Sequence, residues 1–483
     1  MKKAFRLQPW TADGYLDDRV GRLHMDGVDL VNVAEEHGTP LFVYSENRLR
    51  RNARHLHRAF ADMHANATVC FASKAAANLS ILRLMAEEGV AVEVNSGGEL
   101  AKAKHAGLTA DRLVFNGVAK SRWELEDALD PPIKAINVDS VFELERIVEV
   151  ARAKGTRANV ALRAIPNVEG GSTAGIETGS IRSKFGLTEA ELERCLEIAA
   201  AHPVAICLCG LHVHIGSQMT DIALYLAAAN VVGERAAAIR ARFPHDFAHV
   251  NIGGGFPVNY VKYDDQAPEI GYFHSELTAA DVAARVVPVL EAKLGPRIEI
   301  LTEPGRSMTS DAALVLTRVE GIKRRGETTW LYLDAGYSVV PESGFGWYFH
   351  MVTANRTGDE DTDLFRVVGP LCDSIDVYFD MEGEAKVQAL LDVEPQWAGL
   401  RELLEAKLVH MPGHRELPAQ TGPGDLVAIL DTGAYQVEMA NHYCGRPRPG
   451  AVMVRGDGSV RTIRRAETAA DLWRGEEGYA DSL

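Results

Sequence analysis

Lys74, His214, Glu303, Arg306, Cys372 and Tyr435 are the side chains of this sequence whose types and settings suit chemistry. Lys74 stands in Phe71-Ala72-Ser73-Lys74-Ala75-Ala76-Ala77-Asn78, at the end of the apolar run Ala67-Thr68-Val69-Cys70-Phe71. The run reads as a buried strand, and a helical pattern starts just after it. A lysine there, flanked by small residues, has its stem in an apolar wall and its amine at the mouth of a pocket. Burial disfavours the ammonium, which makes the amine neutral and nucleophilic near neutral pH. That is what a Schiff base with an aldehyde cofactor, such as pyridoxal phosphate, requires. The plain alternative is a surface lysine just past a strand, so the rest of the chain must supply the partners.

His214 ends a second apolar run, in Gly210-Leu211-His212-Val213-His214-Ile215-Gly216-Ser217-Gln218. Alternation puts His212 and His214 on one face of the strand, where an imidazole could stack on a flat ring; a hydrogen-bonded core histidine is the alternative. In Asn251-Ile252-Gly253-Gly254-Gly255-Phe256, three glycines let backbone N–H groups approach an anion closely, or make a tight turn. Thr302-Glu303-Pro304-Gly305-Arg306 offers a carboxylate that would keep a pyridine nitrogen protonated, and a fork for a phosphate or carboxylate. A structural Glu–Arg pair would read the same way. Cys372, in Gly369-Pro370-Leu371-Cys372-Asp373, could donate a proton or be an inert thiol. Tyr435, in Gly433-Ala434-Tyr435, could reach a phosphate or fill a core.

The elements that must position these groups follow a regular plan. From about residue 67 to 310, eight β-rich runs alternate with amphipathic stretches: Val69–Lys74, Val90–Ser96, Leu113–Gly117, Ala135–Ser140, Ala158–Ile165, Ile206–Gly216, His249–Gly255 and Ile298–Gly305. This alternation predicts an α/β fold, a parallel (β/α)8 TIM-like barrel, with a doubly wound open sheet as the other option. The lysine, the histidine, the glycines and the glutamate all lie at carboxyl ends of runs, where such barrels carry their sites. We expect the barrel over residues 46–310, a mostly β second domain over 311–483 without regular intervening helices, and an N-terminal segment 1–45 joining the β domain.

At 483 residues the chain is long enough for two domains, and a net charge of −16 argues against nucleic acid and anionic membranes as partners. The six cysteines are scattered and suggest neither disulfides nor a metal site. The start of the sequence lacks the apolar core of a signal peptide, and no apolar stretch reads as long enough to span a bilayer. These features point to the cytoplasm.

Taken together, Lys74, His214, the glycine run, Glu303-Pro304-Gly305-Arg306, Cys372-Asp373 and Tyr435 resemble the fold-type III pyridoxal-phosphate decarboxylases, over about residues 38 to 450. Ser96-Gly97-Gly98-Glu99, Asn116-Gly117, Thr178-Gly179, Ser183-Lys184-Phe185-Gly186 and Arg446-Pro447-Arg448-Pro449 are similar to motifs of the diaminopimelate decarboxylase branch. The resemblance implies an alanine racemase-like barrel with a C-terminal β domain, pyridoxal 5'-phosphate as cofactor, and a homodimer with shared active sites. Lys74 would carry the cofactor, His214 stack on its ring and Glu303 pair with the ring nitrogen. Gly253, Gly254, Gly255, Ser217 and Tyr435 would hold the phosphate, and Arg306 the phosphate or the substrate's far end. Cys372 and Asp373 would act on the partner subunit's cofactor. Glu93 stands where the family usually has aspartate.

One departure bears on the substrate. In diaminopimelate decarboxylases an Arg-Pro pair follows Asp-Ala-Gly, and its arginine grips the substrate's far carboxylate. Here Asp334-Ala335-Gly336 leads into Tyr337-Ser338-Val339-Val340-Pro341-Glu342, so Glu342 takes the arginine's place. Reversing the charge reverses the preferred partner. The substrate is then a diamino acid with a cationic far end, D- or L-lysine or ornithine, unless Arg182 or Arg446 supplies the missing cation for meso-diaminopimelate. An amino-acid racemase would pair the ring nitrogen with arginine, and a regulatory homologue would lose the lysine or the cysteine.

Overall fold

A computed structural model describes residues 8–11, 14–167, 183–262, 273–358 and 361–476. The chain divides into two compact units: Leu49–Val258 with Ser275–Thr309, and Met1–Arg48 with Asn259–His274 and Ser310–Leu483.

In the first unit eight parallel strands close into a barrel. They are β1 (Ala67–Ala72), β2 (Ala91–Val94), β3 (Leu113–Phe115), β4 (Ala135–Val138), β5 (Ala158–Arg163), β6 (Ile206–His212), β7 (His249–Asn251) and β8 (Glu299–Thr302). Each matches one of the eight apolar runs. The closing pair, Ile300 against Ala67 through Thr302 against Val69, rules out the open sheet. Strands β2 and β4 are buried at every position, as strands covered on both faces must be.

The intervening helices start and stop on recognisable signals. Asn78 caps Leu79–Glu87 by accepting from the Ser80 N–H. Ser140 caps Val141–Lys154, which ends on Gly155 at φ 64°, the left-handed conformation glycine adopts without penalty. The helix Ile222–Arg242 corrects one expectation, for its 21 residues are long and apolar enough to cross a bilayer. Its Tyr225, Ala228, Ala229, Val232, Ala236 and Ile239 are buried at helical spacing, and it packs on the helix Ala279–Leu294. Its apolar character is that of a barrel helix.

The barrel floor is a layer of small side chains: Cys70, Ala91, Val114, Ala135, Ala161, Cys209 and Leu301. Strand β6 carries an irregularity between Leu208 and Gly210 in its pairing with β5. A Cβ on Gly210 would lie 2.4 Å from the His249 ring, so glycine is needed there.

The second unit is built on a nine-stranded sheet. Leu41–Ser45 lies inside it, antiparallel to Ala313–Arg325 and parallel to Gly450–Val454. Residues from the two ends of the sequence therefore share one core, with Leu41, Val43, Leu314, Leu316, Val452 and Val454 buried together. The expectation of no regular helices here fails. Helices Met381–Val393 and Arg401–Leu408 pack on each other. Their apolar positions are sparse: the first buries only Gly383, Val387 and Leu391, and the second buries none, so the periodic signal is weak.

Candidate active site

Alternation along a strand returns the side chain to the barrel interior every second residue. Two positions beyond the floor residues Ala91, Val114, Ala135, Ala161 and Leu301 stand Glu93, Asn116, Asn137, Arg163 and Glu303. A polar layer thus sits directly above a small-residue layer, at the carboxyl ends of the strands. His212 ends β6 and Asn251 ends β7, and both are buried.

Glu303 is the centre of that layer. Its Oε2 accepts from Asn116 Nδ2 at 2.8 Å and from His212 Nε2 at 3.2 Å. Its Oε1 accepts from Asn251 Nδ2 at 2.6 Å. Asn137 Nδ2 donates to Asn116 Oδ1, which orients that amide. Burial works against ionisation of Glu303, but His212, Asn116 and Asn251 override it and hold the carboxyl down at about 2. Burial keeps the His212 imidazole below its ordinary value. These partners, rather than Arg306, answer the structural-pair reading of Glu303.

Glu93 behaves oppositely. It is fully buried, its Oε1 has no hydrogen-bond partner, and its Oε2 accepts from Asn95 Nδ2 at 3.1 Å. Burial raises its carboxyl to about 8, with Lys74 opposing and Glu303 and Glu99 adding to the rise. A carboxyl whose folded value is raised contributes stability that is present below its ordinary 4.5 and is lost as the pH climbs toward 8. Glu93→Gln is expected to flatten that decline and to raise the melting midpoint at the alkaline end by about 2–4 °C. Thermal melts of the cofactor-free protein across the window check this; an equally steep decline in the variant would assign the effect to another group.

Lys74 lies in the single turn Ser73–Ala75 that follows β1. Ser73 Oγ donates to Glu99 Oε2 at 2.6 Å, and the Asn95 N–H donates to the same oxygen at 2.8 Å, so the turn is pinned to the next strand–helix junction. Ser96 caps that helix by accepting from the Glu99 N–H. The expectation of a buried lysine is corrected: Ser73, Ala75, Ala76 and Ala77 are buried, but Lys74 is exposed. Its closest neighbours in the sequence form the wall, and the side chain rises out of it.

His214 is half-buried. Its Nδ1 accepts from the Gly254 N–H at 3.2 Å, which fixes the ring. Desolvation, then the cations Lys74 and Arg163, hold it well below its ordinary value, so it is a neutral flat ring. Gly253 and Gly255 adopt φ +67° and +84°. A Cβ on Gly254 would lie 2.0 Å from the Glu303 carbonyl oxygen, and one on Gly255 2.1 Å from that of Gly216. Only glycines allow this loop to run against Gly216-Ser217. Arg306 is buried and donates from Nε to Ser217 Oγ at 3.3 Å. The donor set fits pyridoxal phosphate: an ionised carboxylate for the ring nitrogen, a fixed neutral imidazole for its face, a cation with a glycine loop for the phosphate, and a lysine for the aldehyde.

The remaining predicted residues belong to the other unit. Cys372 is exposed. Asp373 Oδ2 accepts from Tyr337 Oη at 3.1 Å. Buried Asp376 accepts from the N–H groups of Tyr337 and Leu371, both at 2.7 Å, and ties their loops together. Glu342 is buried; its N–H donates to Gln436 Oε1 at 3.2 Å and its Oε2 accepts from Gln436 Nε2 at 2.5 Å. Tyr435 stands at φ 68° before the helix Gln436–Met439. Arg446 Nη2 donates to the Pro370 carbonyl at 3.4 Å. Arg182, Thr178 and Gly179 lie outside the described residues.

Sequence reasoning missed Asn137 and Arg163, and it left Asn116 and Asn251 without roles. The available signal was a polar residue at the inward position of an otherwise apolar strand end.

Residues 46–310 match the family model described as "Pyridoxal-dependent decarboxylase, pyridoxal binding domain". The chain is similar to the diaminopimelate decarboxylase of Aquifex aeolicus, 32% identical over 454 residues, covering 94% of this chain and 95% of the relative. The corresponding Methanothermobacter thermautotrophicus protein is 32% identical over 460 residues, covering 94% and 96%. Among solved structures, diaminopimelate decarboxylase of M. jannaschii in complex with L-lysine superposes with a TM-score of 0.81 at 30% identity, covering 98% of this chain and 99% of that one.

Proposed function

The chain belongs to the pyridoxal-dependent decarboxylases, and from that premise we propose that it removes the α-carboxyl group of lysine or ornithine, releasing a diamine and CO2. The family membership makes it a pyridoxal-phosphate-dependent amino-acid decarboxylase that acts on diamino acids. The finer choice rests on Glu342. Its buried carboxyl group accepts from the Gln436 amide, at a position where the diaminopimelate enzymes carry a cation. An ammonium suits an anion there, and a second carboxylate does not. The Ser183-Lys184-Phe185-Gly186 segment, similar to that of enzymes acting on a D centre, favours the D isomers. Meso-diaminopimelate is the second reading, supported by the extent of similarity to enzymes of that specificity.

When bound, the cofactor supplies an electron sink for the bond to the departing carboxyl group. In this reading Lys74 would hold the cofactor through its side-chain amine. Glu303 keeps the ring nitrogen protonated, which a racemase of the same barrel class would not do. His214 would pack on the ring face, and Gly253, Gly254, Gly255, Ser217 and Arg306 would bind the phosphate. Cys372, acting in a homodimer on the partner's centre, gives a proton to the carbon that has lost CO2, with Asp373 beside it. Retention of both Lys74 and Cys372 speaks against a non-catalytic regulatory homologue.

CO2 release should be measured with D-lysine, L-lysine, D-ornithine, L-ornithine and meso-diaminopimelate in parallel. A basic amino acid is expected to lead in kcat/KM by at least tenfold, and turnover of meso-diaminopimelate alone would end the charge argument. Glu342→Arg is expected to move the preference toward meso-diaminopimelate by about 30-fold or more, the scale of ~2 kcal/mol for one buried charge contact.

A further inference from the structure

Lys120 is a buried cation with no task in the scheme above. It is 2% exposed, and its Nζ donates to three acceptors: the Gly117 carbonyl at 2.7 Å, the Asn137 carbonyl at 2.9 Å and Glu143 Oε1 at 2.8 Å. All three ammonium protons are therefore spent. To bring the lysine to this place the chain turns tightly after β3. Gly117 stands at φ +63°, where a Cβ would lie 2.2 Å from the Asn95 carbonyl oxygen. Ala119 stands at φ 55°, a left-handed conformation that an alanine adopts only at a cost.

The two carbonyls belong to the ends of β3 and β4. Those strands pair only from Val114–Ala135 to Phe115–Ile136, one residue short of Asn116 and Asn137. Asn116 is held on its other side, where its N–H donates to the Val94 carbonyl at 2.8 Å. Lys120 bridges the gap that the ladder leaves. The side chains across this gap form a relay. Asn137 Nδ2 donates to Asn116 Oδ1 and, at 3.5 Å, to Glu303 Oε1, while Asn116 Nδ2 donates to Glu303 Oε2 at 2.8 Å. An amide can present either its NH2 group or its oxygen to a neighbour. Asn137 decides which end of Asn116 faces Glu303, and it does so only while the strand ends keep their spacing. An amide turned round would set an oxygen against the carboxylate and favour the protonated acid.

A plain structural staple is the alternative. Apolar side chains of similar size commonly match or better a buried ion pair in stability, so Lys120 and Glu143 are a poor choice for stability alone. An apolar pair would also leave the two strand-end carbonyls without this donor. We propose that Lys120 is a positioning residue for Glu303: by bridging the Gly117 and Asn137 carbonyls it keeps the Asn137–Asn116 relay aimed so that Glu303 stays an anion against the cofactor's ring nitrogen. This rests on Glu303 being the partner of that nitrogen. Lys120 acts only through Glu303 in this role, so its effect vanishes where position 303 carries no charge.

The test has two parts, both on the holoenzyme. With 15N at the ring nitrogen of the bound cofactor, the pH at which that nitrogen loses its proton is read by NMR. Lys120→Met is expected to lower that pH by about half a unit or more, and Glu303→Gln by more still. The second part is a double-substitution cycle in kcat. Lys120→Met is expected to lower kcat about tenfold in the native chain and less than about twofold in the Glu303→Gln background. Lys120→Met strands Glu143 in the core; should it not fold, Lys120→Met with Glu143→Met removes the pair together and carries the same expectations. Equal kcat losses in both backgrounds, or an unmoved ring-nitrogen titration in a folded Lys120 variant, overturn the proposal and leave Lys120 a staple. An unmoved titration in Glu303→Gln would sink the pairing of Glu303 with the ring nitrogen, and this proposal with it, so the two failures are distinguishable.

Discussion

Lys74→Ala is expected to abolish CO2 release, with kcat falling about four orders of magnitude or more, the scale seen when a covalent catalytic group is removed. The fold should survive the change. Lys74 is exposed, while the neighbours that build the turn are buried and Ser73 is pinned to Glu99. An exposed side chain typically moves stability by little when shortened to alanine, and the turn is held by its buried neighbours. The variant should therefore melt near the native temperature and lack the visible absorption of a covalently held cofactor. A folded variant that keeps both activity and the absorption band would remove Lys74 from the chemistry and with it the whole assignment of the barrel mouth.

Glu303→Gln is expected to lower kcat by about 10²–10³-fold, the usual effect of losing one preorganised electrostatic partner in a water-poor site. The replacement is nearly isosteric but neutral, and it brings an NH2 group to a place already filled with donors. Asn116, Asn251 and His212 all aim N–H groups at the native carboxylate. One of them must be left without an acceptor, so a stability loss of about 1–3 kcal/mol should accompany the kinetic one. Activity and melting temperature should fall together in Gln, whereas Asn137→Ala, which removes the amide behind Asn116 and a long 3.5 Å bond to Glu303 Oε1 but leaves the carboxylate charged, should cost much less activity. If the glutamine variant keeps kcat within a factor of ten, the ring nitrogen does not depend on this anion.

The barrel was legible because its signals are local. Eight apolar runs separated by amphipathic stretches prescribe strands and helices through side-chain periodicity, and periodicity is a property of neighbouring residues. Glu303, His214, the three glycines and Lys74 could be placed at strand ends on the same basis. The helical hairpin of the second unit escaped because it buries too few apolar residues to leave a period, and the 21-residue barrel helix, read as too short in apolar character to cross a bilayer, is in fact apolar enough by length and composition.

The sequence by itself determined which residue types meet at the carboxyl ends of the strands, since alternation puts each of them one layer above a small floor residue. Only the tertiary structure decided their charges and partners. Whether a carboxyl sits at about 2, as Glu303 does, or at about 8, as Glu93 does, depends on which donors cross the barrel to reach it. Those donors come from strands far away in the chain, and burial and hydrogen bonding across a closed barrel have no signature in any short window of sequence.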